Sequence, residues 1–133
     1  MRVGIVGSRG WTDRDAIVAL VVALPPDATV VSGSCRGVDT WAAVAARERG
    51  LTVVEYAPEA EGPMRSYDEV CQRFRERNQR IAGDIELLHA FVSTDRRGGT
   101  EQTIRYARAR GVPVVIHEMA NCAAATPRAR AGR

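Results

Sequence analysis

The segment "TVVSGSCRGVDTWAA", residues 29–43, contains the strand, the turn and the helix that decide the fold. Its first part, "TVVSG", is a short apolar and β-branched run of the kind found in buried strands. Small residues and glycine interrupt the run, and the residues that follow place Val38, Trp41 and Ala42 on one face of a helix. The segment therefore predicts a strand that enters a helix through a glycine turn.

The same alternation of strand and helix continues on both sides of this segment. Further apolar runs are "RVGIV" (2–6), "GLTVVEYAP" (50–58), "ELLHAFVST" (86–94) and "VPVVIH" (112–117). Helical patterns lie at 12–24, where the Thr12 to Asp15 spacing resembles a capping box, at 66–83 and at 101–110, with a loop expected at 59–64. Strands that alternate with amphipathic helices predict parallel βαβ units. We expect an α/β, Rossmann-like three-layer sandwich with a five-stranded, mostly parallel sheet and helices on both faces.

Composition predicts one domain with a neutral body. The chain has 133 residues, of which 45% are hydrophobic, and this is enough for one core. We expect the domain to span 1–118 and a disordered basic tail to span 119–133. Three of the 19 basic residues lie in that tail, and the remaining basic residues balance the 16 acidic ones. The sequence has no long apolar run or signal peptide, so we expect a cytoplasmic protein without membrane contact.

Several chemistries are disfavoured by the residues that the chain lacks. Cys35, Cys71 and Cys122 are widely spaced, which suits reduced thiols, and only two histidines are present. We therefore expect no metal site. All the basic residues are arginine, so the chain has no Walker A lysine and no Schiff-base lysine. No cofactor is expected.

Two glycine-containing turns follow the first two strands and could hold an anion. Ligands of doubly wound folds bind at the carboxyl ends of the strands, where backbone N–H groups at helix N-termini attract negative charge. The first turn offers Gly7, Ser8 and Arg9, for which a simple tight turn is the alternative. The second turn offers Ser32, Gly33, Ser34, Arg36, Gly37 and Asp39. Asp39 is equally interpretable as a helix cap or as the partner of an internal arginine.

An arginine occupies the apolar stripe of the long helix. At about 100° per residue, Val70, Phe74, Arg77 and Ile81 lie on one narrow face. Because arginine is rarely buried without a partner, Arg77 either pairs with a buried carboxylate such as Asp39 or Asp84, or contacts an anionic ligand. We favour the ligand.

These motifs together resemble the SLOG superfamily. The relevant stretches are "GSRGWTD", "VVSGSCRGVDTWAA", "RNQRIA" and "GGTEQTIRYARARGVPV". The superfamily includes the LONELY GUY proteins, the lysine decarboxylase-like proteins and the core of DNA-processing protein A. The first two stretches are most similar to its YspA/YAcAr branch, whose members are thought to bind nucleotides or nucleotide-derived signals.

The resemblance also implies where a ligand binds. LONELY GUY proteins hold a nucleoside 5'-monophosphate with a glycine-threonine turn and a helix arginine, which match Gly99, Thr100 and Arg77. Their proline-glycine-glycine lead-in is replaced here by residues 95–97, and their catalytic glutamate by Thr103. The nearest carboxylate, Glu101, is two helical positions earlier, which turns it by about 160°. The binding part of the motif is therefore better preserved than the catalytic part.

We therefore expect a SLOG-type domain that binds a nucleotide or nucleotide-derived metabolite and acts as a ligand sensor. The expected ligand-binding residues are Gly7, Ser8, Arg9, Ser32, Gly33, Ser34, Arg36, Gly37, Asp39, Arg77, Asn78, Gly98, Gly99 and Thr100. The first alternative is a nucleoside 5'-monophosphate phosphoribohydrolase with Arg77 and Glu101 in catalytic roles. The second is a single-stranded DNA-binding protein, which the neutral body and the few aromatic residues disfavour. Dimerisation through the long helix stays open.

Overall fold

Five strands alternate with four helices in a computed structural model that describes residues 1–58 and 66–119. The strands are β1 (Arg2–Gly7), β2 (Thr29–Gly33), β3 (Thr52–Tyr56), β4 (Leu87–Val92) and β5 (Val114–Glu118). The helices are α1 (Arg14–Val22), α2 (Val38–Glu48), α3 (Tyr67–Gly83) and α4 (Gly99–Ala109). The predicted element order is confirmed. The loop expected at 59–64 and the tail from residue 120 lie outside the described residues.

The sheet is parallel throughout and doubly wound. Its strand order is β3-β2-β1-β4-β5, and every neighbouring pair is parallel. The Rossmann-like architecture is thus confirmed. The chain leaves β1 toward one edge of the sheet and β4 toward the other, so the loops after these two strands diverge and leave a crevice between them.

The sheet separates two apolar cores. One face packs against α1 and α2, with Ile17, Val21 and Ala42 buried among the side chains of β1 and β2. The other face packs against α3 and α4, with Ile81 and Ile104 buried in the second core. Burial on both faces explains why the strands appear as continuous apolar runs rather than as alternating patterns.

The four helices begin in two different ways. The N-cap of α1 is Asp13, whose side chain accepts a hydrogen bond from Ala16 N, so the capping motif starts one residue later than the Thr12 spacing suggested. Ser66 caps α3 in the same manner. In contrast, α2 and α4 begin after Gly37 and Gly98, which have φ of 85° and 96° and provide no side-chain cap.

The end of the described chain returns to the body of the domain. Met119, the first residue of the expected tail, packs beside the first core and accepts hydrogen bonds from Thr12 through its sulfur. The rest of the tail lies outside the described residues. None of the helices in the described ranges is both long and apolar enough to cross a membrane.

Candidate functional site

Two adjoining clefts lie at the carboxyl ends of the strands. The α4 cleft has a volume of about 660 Å³ and lies between the β1 loop, the start of α4 and one face of α3. The α2 cleft has a volume of about 930 Å³ and lies beside the start of α2. Both clefts are lined by Arg9, Cys35, Phe74 and Arg77. The side chains shared by the two clefts make them neighbouring parts of one site.

Arg77 is the central cation of this site. It is only 6% exposed, and its guanidinium lies over the ring of Phe74, 5.4 Å from the ring centroid. Nε donates to Asn78 Oδ1 at 2.8 Å, Nη1 to Tyr56 O at 3.4 Å, and Nη2 to Cys35 Sγ at 3.7 Å. A guanidinium has five N–H donors, so two are left for another partner.

Neither carboxylate suggested as the partner of Arg77 forms a direct ion pair with it. Asp84 instead pairs with Arg2 and accepts a hydrogen bond from the Tyr56 hydroxyl at 2.9 Å. Asp39 lies near Arg77, beside Gly33, but no ion pair joins the two side chains. The guanidinium acts on the Asp39 carboxyl only through electrostatic attraction, which opposes the rise of its pKa. Arg77 is therefore a buried cation without a carboxylate in direct contact, among the residues that the structure describes.

Asp39 is a buried carboxylate in the floor of the α4 cleft. It is 4% exposed, and Oδ2 accepts a hydrogen bond from Cys35 N at 3.4 Å. Burial raises the pKa of this carboxyl to about 6, although the Arg77 guanidinium and the backbone N–H groups of Cys35 and Gly33 oppose the rise. Asp39 is thus held by the backbone of the preceding turn and is influenced by an arginine, but it neither caps α2 nor forms a direct ion pair with Arg77.

Gly33 makes the approach of these two charges possible. A Cβ on this residue would lie 2.5 Å from Arg77 Nη1 and 2.6 Å from Asp39 Oδ2. Its neighbour Ser32 is fully buried and donates to Gly33 O at 3.2 Å. These two residues therefore shape the floor of the site from below and line neither cleft.

A line of polar side chains connects the start of α4 with the start of α2. Asn78 Nδ2 donates to Gly99 O at 3.5 Å and to Gln102 Oε1 at 2.9 Å, while its carbonyl accepts from Arg77. Arg77 and Asp39 are not hydrogen-bonded, but the positive charge of the guanidinium acts electrostatically on the Asp39 carboxyl. Thus, one connected floor spans both helix N-termini.

Thr100 places a hydroxyl at the start of α4. The residue is 9% exposed and lines the α4 cleft. Its hydroxyl has no hydrogen-bond partner among the described residues. Gly98 and Gly99 line the same cleft, and the first N–H groups of α4 have no side-chain cap. Together these groups form an unfilled set of donors.

Most of the expected ligand-binding residues meet at the two clefts. Those that line the α4 cleft are Gly7, Ser8, Arg9, Asp39, Arg77, Asn78, Gly98, Gly99 and Thr100. Those that line the α2 cleft are Arg9, Ser34, Arg36, Gly37 and Arg77. The loops from three different strands therefore converge, although they are far apart in sequence.

Glu101 lies apart from both clefts. Its carboxylate is bound by Arg96 through two hydrogen bonds, at 2.7 and 3.1 Å. Thr103, which stands where the resemblance has a catalytic glutamate, does line the α4 cleft and donates to Gly99 O at 3.0 Å. The position at which the resembling proteins have a catalytic glutamate thus lies in the α4 cleft, but here it is occupied by the hydroxyl of Thr103.

One wall of the α4 cleft was not predicted as part of the site. It consists of side chains from the first half of α3: Tyr67, Val70, Cys71 and Phe74. Val70 and Phe74 were assigned to the apolar stripe that faces the core, but both are only partly buried. The polar interruption at Arg77 was the sequence feature that could have indicated this wall, because the apolar stripe of α3 faces the core only from that residue onward. No group of three or more metal-binding side chains occurs within 1–58 and 66–119.

The fold and the clefts define a doubly wound, Rossmann-like domain with its site at the switch point of the sheet. Residues 1–62 match the YAcAr family, described as the YspA, cpYpsA-related SLOG family. The predicted resemblance is therefore confirmed.

The fold is also found in a solved structure, DNA processing protein A from Streptococcus pneumoniae. The match covers 86% of this chain with a TM-score of 0.68 and 20% sequence identity. It covers 49% of that chain, so the present chain spans about half the length of that protein. At this identity the likeness shows the fold alone. A comparison with curated proteins found no match.

Proposed function

We propose that this domain binds a nucleotide or nucleotide-derived metabolite in the α4 cleft, with a phosphate at the start of α4. The family match and the fold support a ligand-binding or DNA-processing Rossmann-like domain. The observation that carries the finer proposal is the set of unfilled donors at the start of α4. It includes the buried hydroxyl of Thr100, which has no partner among the described residues.

The contrast between the four helices supports an anion at this position. Side chains cap α1 and α3, whereas α2 and α4 leave their first N–H groups without a side-chain cap. Backbone donors at a helix N-terminus favour phosphate groups. The two remaining N–H donors of Arg77 and the exposed Arg97 line the same cleft and add positive charge.

The apolar wall of α3 supports an organic group attached to that phosphate. Val70 and Phe74 line the same cleft as Gly98, Gly99 and Thr100 at the start of α4. Ligand pockets typically have volumes of about 300 to 1,000 Å³ and combine apolar walls with a few polar groups. At about 660 Å³, the α4 cleft has room for a nucleotide.

Binding is favoured over hydrolysis because of the position of the carboxylates. Cleavage of an N-glycosidic bond needs a carboxylate near the anomeric carbon. Glu101 is occupied by Arg96 and lines neither cleft, and Thr103 has no carboxylate; Asp39 does line the α4 cleft, but it stands at neither of these two positions. The phosphoribohydrolase is therefore the second candidate, and its sign would be free base released from a nucleoside monophosphate.

The experiment compares AMP with adenosine by calorimetry, on the wild type and on Thr100→Val. Valine keeps the shape of threonine but removes the hydroxyl. We expect AMP to bind more tightly than adenosine, and the variant to lose about 3- to 10-fold in affinity for AMP, the value of one hydrogen bond. Thr52→Val, on the exposed edge of β3, is the control and should bind like the wild type.

Equal affinity for AMP and adenosine would exclude a phosphate at α4. The same test with the other three nucleoside monophosphates covers the choice of base. Chromatography of the AMP sample detects any free adenine. Tight binding of a single-stranded oligonucleotide together with failure to bind all the mononucleotides would favour the DNA-binding alternative.

A further inference from the structure

The carboxylate of Asp39 has acceptor capacity that the described residues leave unused. Oδ2 accepts a hydrogen bond from Cys35 N, the N–H of Gly33 acts on the same carboxylate, and no side chain of the described residues donates to it. Among those residues, Asp39 is also the only carboxylate that lines either cleft. Asp39 is 4% exposed, and a buried carboxylate at the floor of a cleft that accepts hydrogen bonds only from the backbone of the described residues is suited to a further donor supplied by a ligand.

A favourable interaction with the helix dipole does not require this carboxylate to be buried. Asp39 is the second residue of α2, and Asp15 holds the same position in α1, where it is exposed to solvent. An exposed carboxylate interacts favourably with the helix dipole without being desolvated. Burial of Asp39 therefore costs free energy that the same residue avoids in α1.

The position of Asp39 relative to α4 indicates which part of a ligand it meets. The polar floor runs from Gly99 through Asn78 and Arg77 to Asp39, so the carboxylate lies beyond the phosphate-binding groups along the same cleft. In a nucleotide, the group that follows the phosphate is the sugar. Its 2' and 3' hydroxyls are donors that an acidic side chain commonly binds in dinucleotide-binding folds.

We propose that Asp39 accepts a hydrogen bond from a 2' or 3' sugar hydroxyl of the bound ligand, so that the site selects ribonucleotides over the deoxy form that lacks this hydroxyl. This inference rests on the proposed function. A buried ionised acceptor discriminates strongly, because an analogue that lacks the hydroxyl leaves the charged oxygen without its partner.

The test measures the affinities of the four ribonucleoside 5'-monophosphates and of their 2'-deoxy and 3'-deoxy forms by calorimetry. We expect the loss of one hydroxyl to weaken binding at least about 10-fold in the wild type. Asp39→Asn, which keeps the size but removes the charge, should reduce that ratio to about 3-fold or less. Asp39→Ala should abolish it. Asp15→Asn makes the same change at the matched exposed position and should keep the wild-type ratio.

The outcomes separate this inference from the proposed function. Equal affinity for ribonucleotides and both deoxy forms in the wild type would overturn the inference and leave nucleotide binding intact. An undiminished preference in Asp39→Ala would also overturn it, because another residue would then bind the hydroxyl. If no nucleotide binds the wild type, both proposals fail together.

Discussion

Replacing Asp39 by asparagine should stabilise the protein at neutral and basic pH. The pKa of this carboxyl rises from an ordinary value of 3.8 to about 6 on folding. At about 1.4 kcal/mol per pKa unit, ionisation of Asp39 costs the folded state about 3 kcal/mol. Asparagine resembles the neutral form, so the variant should be more stable by up to that amount above about pH 6.

The sign of the pH dependence follows from the raised pKa. Below about pH 4 the carboxyl is protonated in both the folded and the unfolded state, so wild type and variant should unfold with equal free energy. Between about pH 4 and 6 only the unfolded state releases this proton, so the wild type loses stability relative to Asp39→Asn as the pH rises. Above this window the difference stays constant.

Urea unfolding at about pH 4 and about pH 8 measures this difference. The control is Asp15→Asn, which loses only an exposed interaction with the helix dipole and should be destabilised by less than about 1 kcal/mol at pH 8. If Asp39→Asn is less stable than the wild type at pH 8, Asp39 and Arg77 stabilise each other as an ion pair. The carboxylate would then be explained by folding alone.

Three further changes test other parts of the site and the fold. Arg77→Ala should reduce nucleotide affinity by about 10- to 150-fold in calorimetry, because it removes charge-assisted hydrogen bonds; unchanged affinity would remove Arg77 from the site. Gly33→Ala should lower the free energy of unfolding in urea by about 1 to 3 kcal/mol and weaken binding, since its Cβ would lie 2.5 Å from the guanidinium. The control is Gly10→Ala, whose Cβ would have its nearest neighbour at 3.5 Å and should be tolerated. Burial lowers the pKa of His89 to about 4, so this histidine contributes a loss of stability as the pH drops below about 6.5, opposite in sign to the contribution of Asp39, and His89→Gln should remove that loss relative to the wild type in unfolding measurements.

The sequence was sufficient to predict the sheet because each strand is a short apolar run bounded by turn residues. The run 29–33 was predicted to the residue, and β1 was extended by only one position. Helix starts were harder to locate, because Thr12 and Asp13 are both good caps and the choice depends on the path of the preceding loop. The strand order could not be read from periodicity, since both sides of a doubly wound sheet have the same local pattern.

The site was predictable where one loop supplies its residues and unpredictable where a helix supplies a wall. The glycine turns after β1 and β2 and before α4 identified the floor of the clefts and the backbone donors at the start of α4. The wall from α3 was not predicted, because Val70 and Phe74 have the spacing of core residues. Whether such residues face the core or a cleft depends on where the sheet ends, which the spacing does not show. Glu101 illustrates the same limit: its partner Arg96 has φ of 53°, a backbone conformation that spacing does not reveal.

Because the two cores lie on opposite faces of the sheet, a ligand in the clefts would contact helices from both faces. Asp39 belongs to a helix on one face of the sheet, whereas Arg77 and Thr100 belong to helices on the other. A ligand that touches all three would add a direct link between two outer layers that, among the described residues, pack mainly against the strands between them. If a ligand binds in this way, occupancy should make the domain more rigid, and amide hydrogen exchange should slow in the first turns of α2 and α4 together.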